Sequence, residues 1–169
     1  IIAECIAHLS FDTQGYTIDG ELILEGNQLL QETMKAAKKY RAGVSEKLQY
    51  WVYDIVDTTL TFKERSALLK KIVTGASNKN IVLVPTHLVN ADEVLAYQSE
   101  FTSAGFEGTM IRNADSMYVI NQRSNDLQKL KDFQDAEFQI VDVVSGGGSF
   151  TDCAIFVCKT KKGVIFNCA

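Results

Sequence analysis

The sequence of 169 residues predicts an α+β fold on three observations. Segments that open with capping-box residues carry apolar side chains at helical spacing. Short runs rich in aromatic and β-branched residues lie between them, and beyond Asp132 only strand and turn patterns remain. A composition of 46% hydrophobic and 22% charged residues suits one ordinary core and a small second unit. The change of pattern places a boundary between residues 1–132 and 133–169.

From Ile18 to Leu24 apolar and polar residues alternate, which predicts a half-buried strand with Ile18, Leu22 and Leu24 inward and Asp19 and Glu21 on the other face. From Gln28 to Arg41 the apolar residues Leu30, Met34, Ala37 and Tyr40 recur at helical spacing, lysines fill the opposite face, and Gly43 stands where such a helix would stop. Tyr50 to Val56 is a buried-strand pattern ending at Asp57. Thr61 and Glu64 have capping-box spacing ahead of Leu68, Leu69, Ile72 and Val73, so a helix follows. Ile81 to Val84 is a strand closed by Pro85, and Asn90 and Glu93 repeat the capping signal before Val94, Tyr97 and Phe101, with Gly105 as the stop. Thr109 to Ile111 and Leu127 to Leu130 are short strands across a polar loop.

Past the boundary, Phe138 to Val143 is strand-like. Ile155 to Cys158 and Val164 to Phe166, joined by Lys161-Lys162-Gly163, form a hairpin pattern. The glycines of Ser145-Gly146-Gly147-Gly148-Ser149 are followed by neither a helix pattern nor a Lys-Ser/Thr pair, which makes them an inter-strand loop rather than a phosphate cradle.

A formal charge of −4 argues against bulk electrostatic coating of nucleic acid, while leaving room for a local basic strip. Cys5, Cys153, Cys158 and Cys168 lack paired zinc spacing and are expected to be buried, reduced thiols. No apolar run reaches membrane-span length and no signal segment opens the chain, so a cytoplasmic protein is expected. A start at Ile1 without methionine and an end at Ala169 inside a strand pattern suggest part of a longer protein. His8 and His87 are expected to be structural.

Four segments carry the chemistry: Asp19-Gly20-Glu21-Leu22, Tyr50-Trp51-Val52-Tyr53-Asp54-Ile55, Phe106-Glu107-Gly108-Thr109-Met110-Ile111-Arg112 and Leu127-Gln128-Lys129-Leu130-Lys131. In this order they resemble motifs III, IIIa, IV and V of the ATP-dependent DNA ligases, members of the covalent nucleotidyltransferase superfamily. Tyr118, Arg123, Ser124 and Leu127 resemble the family's approach to its lysine pair. The resemblance implies the later part of an adenylation domain, with residues 133–169 as the first strands of an OB-fold. The family's nucleophile lies in Lys-x-Asp-Gly, whereas the single Asp-Gly pair here, Asp19-Gly20, follows Thr17 and leads into Glu21-Leu22 as the third motif does. These residues are therefore expected not to self-adenylylate alone.

Every step of such a reaction is attack on an anionic phosphorus, so cations must neutralise the oxygens. By resemblance Glu107 orients Mg²⁺ at the α-phosphate, against the alternative of a surface acid. The glycine after it is expected to admit a ligand close to the backbone. Lys129 and Lys131 alternate on a strand, so both point to one face and can reach one phosphate chain; a solvated lysine edge is the alternative. Resemblance further implies that Tyr53 stacks on adenine and that Glu21 contacts the ribose or the metal shell. Tyr50, Trp51 and Phe106 compete for core places. Arg112 and Arg123 would contact phosphate or DNA, or form surface ion pairs. The implied protein is a monomer that uses ATP through an AMP adduct and Mg²⁺, and seals nicked double-stranded DNA in repair or replication. It could be nucleoid-associated or encoded by a virus or phage. The alternatives are an RNA ligase or mRNA-capping guanylyltransferase, which share the scaffold, and a catalytically silent nucleotide- or nick-binding remnant.

Overall fold

The computed structural model describes residues 2–26, 29–132 and 135–168, in two compact units, Ile1–Lys131 and Asp132–Ala169. In the first unit a short helix, α1 (Ile2–Ile6), leads to a three-stranded sheet ordered β1-β2-β3. Strand β1 (Ile18–Leu24) runs antiparallel to β2 (Leu48–Ile55). Between them lies α2 (Leu30–Lys38). Helix α3 (Phe62–Gly75) crosses over to β3 (Ile81–Leu83), which pairs with β2 in parallel. After α4 (Val94–Ser103), strands β4 (Thr109–Arg112) and β5 (Leu127–Leu130) form a separate antiparallel pair.

One face of the sheet is the core. Val52 and Ile55 meet Leu9, Ile81 and the inner stripe of α3, Leu69 and Ile72, with Ile18, Leu22 and Tyr50 packed around them. Fully burying each such aliphatic side chain contributes about 2 kcal/mol. Helix α3 starts as its sequence predicts: the Thr61 hydroxyl accepts from the Glu64 N–H, and the Glu64 carboxylate accepts from the Thr61 N–H at 2.8 Å. Two more of its free N–H groups are satisfied from afar. Phe62 donates to the Ser116 carbonyl at 2.8 Å and Lys63 to that of Ala114 at 2.9 Å, which docks the loop between β4 and β5 on the helix start. The Asn90–Glu93 capping box also forms, around a 3-10 turn that precedes α4.

Helix α2 departs from its predicted form. It ends at Lys38, because Lys39 is extended and its N–H closes on the Lys35 carbonyl, so Gly43 (φ +75°) belongs to a later turn. Its buried stripe is Thr33, Ala36 and Ala37, while Leu30, Met34 and Tyr40 are exposed. Small side chains let the helix approach Leu24 and Leu48, and the Thr33 hydroxyl accepts from the Leu24 N–H at 3.1 Å. Gln28, the predicted start, lies outside the described residues.

The second unit is an antiparallel sheet ordered β6 (Gln139–Ser145), β7 (Ala154–Lys159), β8 (Ile165–Cys168). The glycine run forms the turn between β6 and β7, and a Cβ on Gly146 would stand 2.2 Å from the Phe150 carbonyl. The thiols are free, but only Cys5 and Cys158 are buried. Cys153 and Cys168 are exposed, a correction to the expectation of four buried thiols: Cys153 sits in the turn before β7 and Cys168 at the end of the edge strand β8. No helix among the described residues is long and apolar enough to cross a membrane.

Candidate active site

Strands β4 and β5 set Thr109 opposite Leu130 and Met110 opposite Lys129. One residue ahead of this pairing, Gly108 lies so close that a Cβ would stand 2.3 Å from the Leu130 carbonyl. The glycine is thus needed for β5's own backbone, which occupies the space expected for a ligand. Its tight fit turns Glu107 toward the lysines of β5. The Glu107 carboxylate accepts from Lys129 Nζ at 3.2 Å and from Lys131 Nζ at 3.4 Å. Three of the residues named from the sequence are therefore brought together, with both lysines on Glu107. Glu107 is 74% exposed and each lysine about half exposed, so these pairs add little to stability. The hydrogen bond from Lys129, then that from Lys131, holds the Glu107 carboxyl below the usual carboxylate range.

Two contacts tie this hairpin to β2. Before β4, the Phe106 ring meets Trp51 edge-on with centroids 5.9 Å apart. At the end of β4, Arg112 donates to the carboxylate of Asp54, which is fully buried. Tyr53 lies between the two anchor residues of β2. It is also the extra residue of a bulge: Asp19 pairs with Asp54 and Gly20 with Val52, which leaves Tyr53 unmatched. Gly20 permits the crossing, since a Cβ there would stand 2.6 Å from the Trp51 carbonyl and 2.7 Å from the Tyr50 ring. Exposed Glu21 is the cross-strand partner of Trp51. Trp51 ends an aromatic row through Phe106, Phe101, Tyr97 and His87, so Trp51 and Phe106 are packing residues.

Asp54 is the centre of a buried ion triad. Arg65 of α3 grips it with two nitrogens, Nε to Oδ1 at 2.8 Å and Nη2 to Oδ2 at 3.1 Å, and its Nη1 donates to the Leu60 carbonyl at 2.7 Å. The Arg112 guanidinium lies over the Phe62 ring at 4.5 Å. Arg112 is thus committed to Asp54, whereas Arg123 stands exposed in the loop before β5. His8 is structural, its Nε2 2.9 Å from the Leu48 carbonyl oxygen.

Asp19, Asp54, Arg65 and the hydroxyl of Tyr118 are organising groups that the motif pattern left without roles. The Tyr118 hydroxyl donates to Asp19 Oδ2 at 2.8 Å, and its ring lies 5.4 Å from the Arg65 guanidinium. A carboxylate inside an apolar strand is the one local signal for a buried cation partner. Burial first, then the charge and hydrogen bonding of Asp19, pushes Tyr53 up to about 12. Burial and then the hydrogen bond to Asp19 raise Tyr118 to about 12 as well.

These shifts fix a pH response. The folded pKa values lie above the free tyrosine value of about 10, so the stability they contribute is complete below pH 10 and is lost as pH rises through about 12. Absorbance titration at alkaline pH, combined with thermal melts, should show Tyr53 and Tyr118 ionising late and the melting temperature falling across that window. Ionisation of all six tyrosines together near pH 10 would contradict the geometry.

A cleft of about 580 Å³ lies elsewhere, between residues 10–14 and 72–80, and is lined by none of the candidate site residues. Among the described residues no group of three or more His, Cys, Asp or Glu side chains converges as a metal cage.

The fold is that of solved DNA ligases. The structure of a Lig E DNA ligase superposes over 98% of this chain and 64% of its own, with a TM-score of 0.77 at 24% identity. That of Chlorella virus DNA ligase-adenylate covers 89% of this chain and 59% of its own, with a TM-score of 0.59 at 26% identity. Residues 1–131 match the family described as the ATP dependent DNA ligase domain, and the chain belongs to that family. Among named relatives, the DNA ligase of African swine fever virus (isolate Tick/Malawi/Lil 20-1/1983) is 29% identical over 161 residues. That of Haemophilus influenzae (strain ATCC 51907 / DSM 11121 / KW20 / Rd) is 28% identical over 160 residues. The alignments cover 90% and 93% of this chain, but 38% and 59% of those relatives.

Proposed function

We propose that this chain carries the nucleotide-handling part of an ATP-dependent DNA ligase that seals nicks in duplex DNA through AMP-bearing intermediates. The observation that carries it is the contact of Glu107 with both Lys129 and Lys131 on a hairpin tied to β2 on either side of Tyr53. Tyr53 supplies an aromatic face for the adenine, and Glu21 accepts from the ribose hydroxyls. Lys129 and Lys131 neutralise phosphate oxygens when they turn from Glu107 to the substrate.

One exposed carboxylate suits Mg²⁺, which keeps most of its waters and is held by one or two carboxylates together with substrate phosphates. Glu107 would hold it, and the ion would supply charge neutralisation at the α-phosphate. Arg123, exposed ahead of β5, would meet a DNA phosphate. The meander of β6, β7 and β8, between Gln139 and Cys168, supports the reading of residues 133–169 as the opening of an OB-fold. The same assignment implies a monomer.

Tyr53→Ala and Trp51→Ala separate binding from packing. Loss of base stacking should weaken ATP affinity by about 1–3 kcal/mol in Tyr53→Ala. Trp51→Ala should instead lower stability by about 3 kcal/mol, since it removes the contact to Phe106. Calorimetric ATP titration and thermal melts on both variants decide the matter. Unchanged ATP affinity in a destabilised Tyr53→Ala would assign Tyr53 to the core.

A further inference from the structure

Although the chain is acidic overall, five of its 17 lysines and arginines lie between residues 35 and 47, with Glu46 as the one acid in that stretch. Glu46 accepts from the Tyr40 hydroxyl, and Lys35 is tied to Glu32 at 2.6 Å. Lys38 and Lys39 are exposed and, among the described residues, join no ion pair. Arg41 is the member of the strip whose backbone the fold fixes. Its N–H donates to the Ser45 hydroxyl at 2.9 Å, and its carbonyl accepts from the N–H groups of Val44 at 3.0 Å and Ser45 at 2.8 Å. Ser45 is fully buried, and its hydroxyl donates to the Ala36 carbonyl at 2.9 Å. Beyond this anchor the guanidinium is unspent: Nε and Nη2 are buried and have no hydrogen-bond partner among the described residues. In Arg65 the same two nitrogens grip both oxygens of a carboxylate. A buried donor without an acceptor lowers stability, so the open edge of Arg41 calls for an oxyanion that brings two oxygens of its own.

We propose that Arg41, with Lys38 and Lys39 close to it in sequence, binds a backbone phosphate of duplex DNA. The guanidinium turns outward from its fixed backbone to meet the phosphate, and its Nε and Nη2 give up no hydrogen bond in doing so. The two exposed lysines add charge that draws the polyanion, which an acidic chain does not attract as a whole. The choice of DNA as the source of the phosphate rests on the nick-sealing activity proposed above. The unpaired edge of Arg41 does not.

Arg41→Met keeps an apolar stem and deletes the donors, while Lys70→Met removes one charge from an exposed position on α3. The protein of the complete reading frame is titrated onto a fluorescent nicked duplex by anisotropy across a range of salt, and thermal melts are run with and without inorganic phosphate. Arg41→Met should weaken duplex binding about tenfold and reduce the salt slope by about one, as loss of one charge-assisted phosphate contact predicts. Its melting temperature should equal or exceed that of the unchanged chain, because no hydrogen bond of Nε or Nη2 is lost. Arg41→Lys should keep the slope but recover only part of the affinity, since an ammonium lacks the fork. Lys70→Met should leave affinity and slope unmoved. Unchanged affinity and slope in folded Arg41→Met overturn the proposal, and so does an equal loss in Lys70→Met. Phosphate that raises the melting temperature of the unchanged chain but not of Arg41→Met, with duplex binding equal in both, would assign the edge to a free phosphate ion and overturn the DNA contact. Nick sealing that persists beside any of these results leaves the proposed function standing. A complete protein that binds no nicked duplex even at low salt overturns both.

Discussion

Asp54→Ala is expected to destabilise the protein by about 3–5 kcal/mol, the cost of leaving a buried cation without its partner. Arg65 has almost no exposed side chain, and two of its nitrogens are satisfied by Asp54 alone. Arg112 would lose its counter-ion at the same time, and with it the anchor at the end of β4. Thermal melts should show a fall on the order of 10 °C for a domain of this size. Asp54→Asn keeps the shape and one acceptor oxygen and should lie between. Lys35→Ala, which breaks the exposed pair with Glu32, should melt like the unchanged chain. Equal melting of Asp54→Ala and Lys35→Ala would mean that the triad does not hold the hairpin.

The largest effect on chemistry is expected from Glu107→Gln. The amide preserves size and hydrogen bonding but removes the anionic oxygen that both lysines contact and that Mg²⁺ prefers. Single-turnover sealing of a nicked duplex by the protein of the complete reading frame should slow by roughly a hundredfold or more, as when one charge-stabilising group leaves a reacting site. Raised Mg²⁺ should recover part of the loss. Folding should be unaffected because the carboxylate lies on the surface. Glu93→Gln alters only a cap ahead of α4 and should cost about 1 kcal/mol or less with no change in rate. Equal rates for wild type and Glu107→Gln at every Mg²⁺ concentration would remove Glu107 from the site.

Local signals explain what could be read in advance. The α3 cap and the aliphatic stripe at Leu69 and Ile72 depend on residues three or four apart, and the structure contains both. In α2 the same periodicity misled, because it weighs apolarity and ignores size. Of the predicted face Ala37 is buried, but Leu30, Met34 and Tyr40 are exposed, and the small Thr33 and Ala36 approach the sheet beside Ala37 instead. A bulge leaves no mark in an alternating pattern, so Tyr53 was legible as an aromatic on β2 but not as its unmatched residue. The candidate charges Glu107, Lys129 and Lys131 were legible from motif order, and the β4–β5 register supplied their contact.

What local pattern could not supply is long-range polar pairing. Arg65 stands 11 residues from Asp54, Arg112 stands 58 from it, and Tyr118 stands 99 from Asp19. No propensity links such positions; only the closed fold does. Asp54 within a largely apolar strand is a signal for a buried cation, but it does not say which arginine supplies it.

Photolabelling with 2-azido-ATP and Mg²⁺, followed by peptide mapping, tests most directly whether the nucleotide lies against the open face of β1 and β2. The account predicts label in the peptide that carries Tyr53, competed away by ATP and diminished in Tyr53→Ala. Label concentrated instead in the peptides around Ser10–Gln14 or Gly75–Asn80, which line the 580 Å³ cleft, would contradict it.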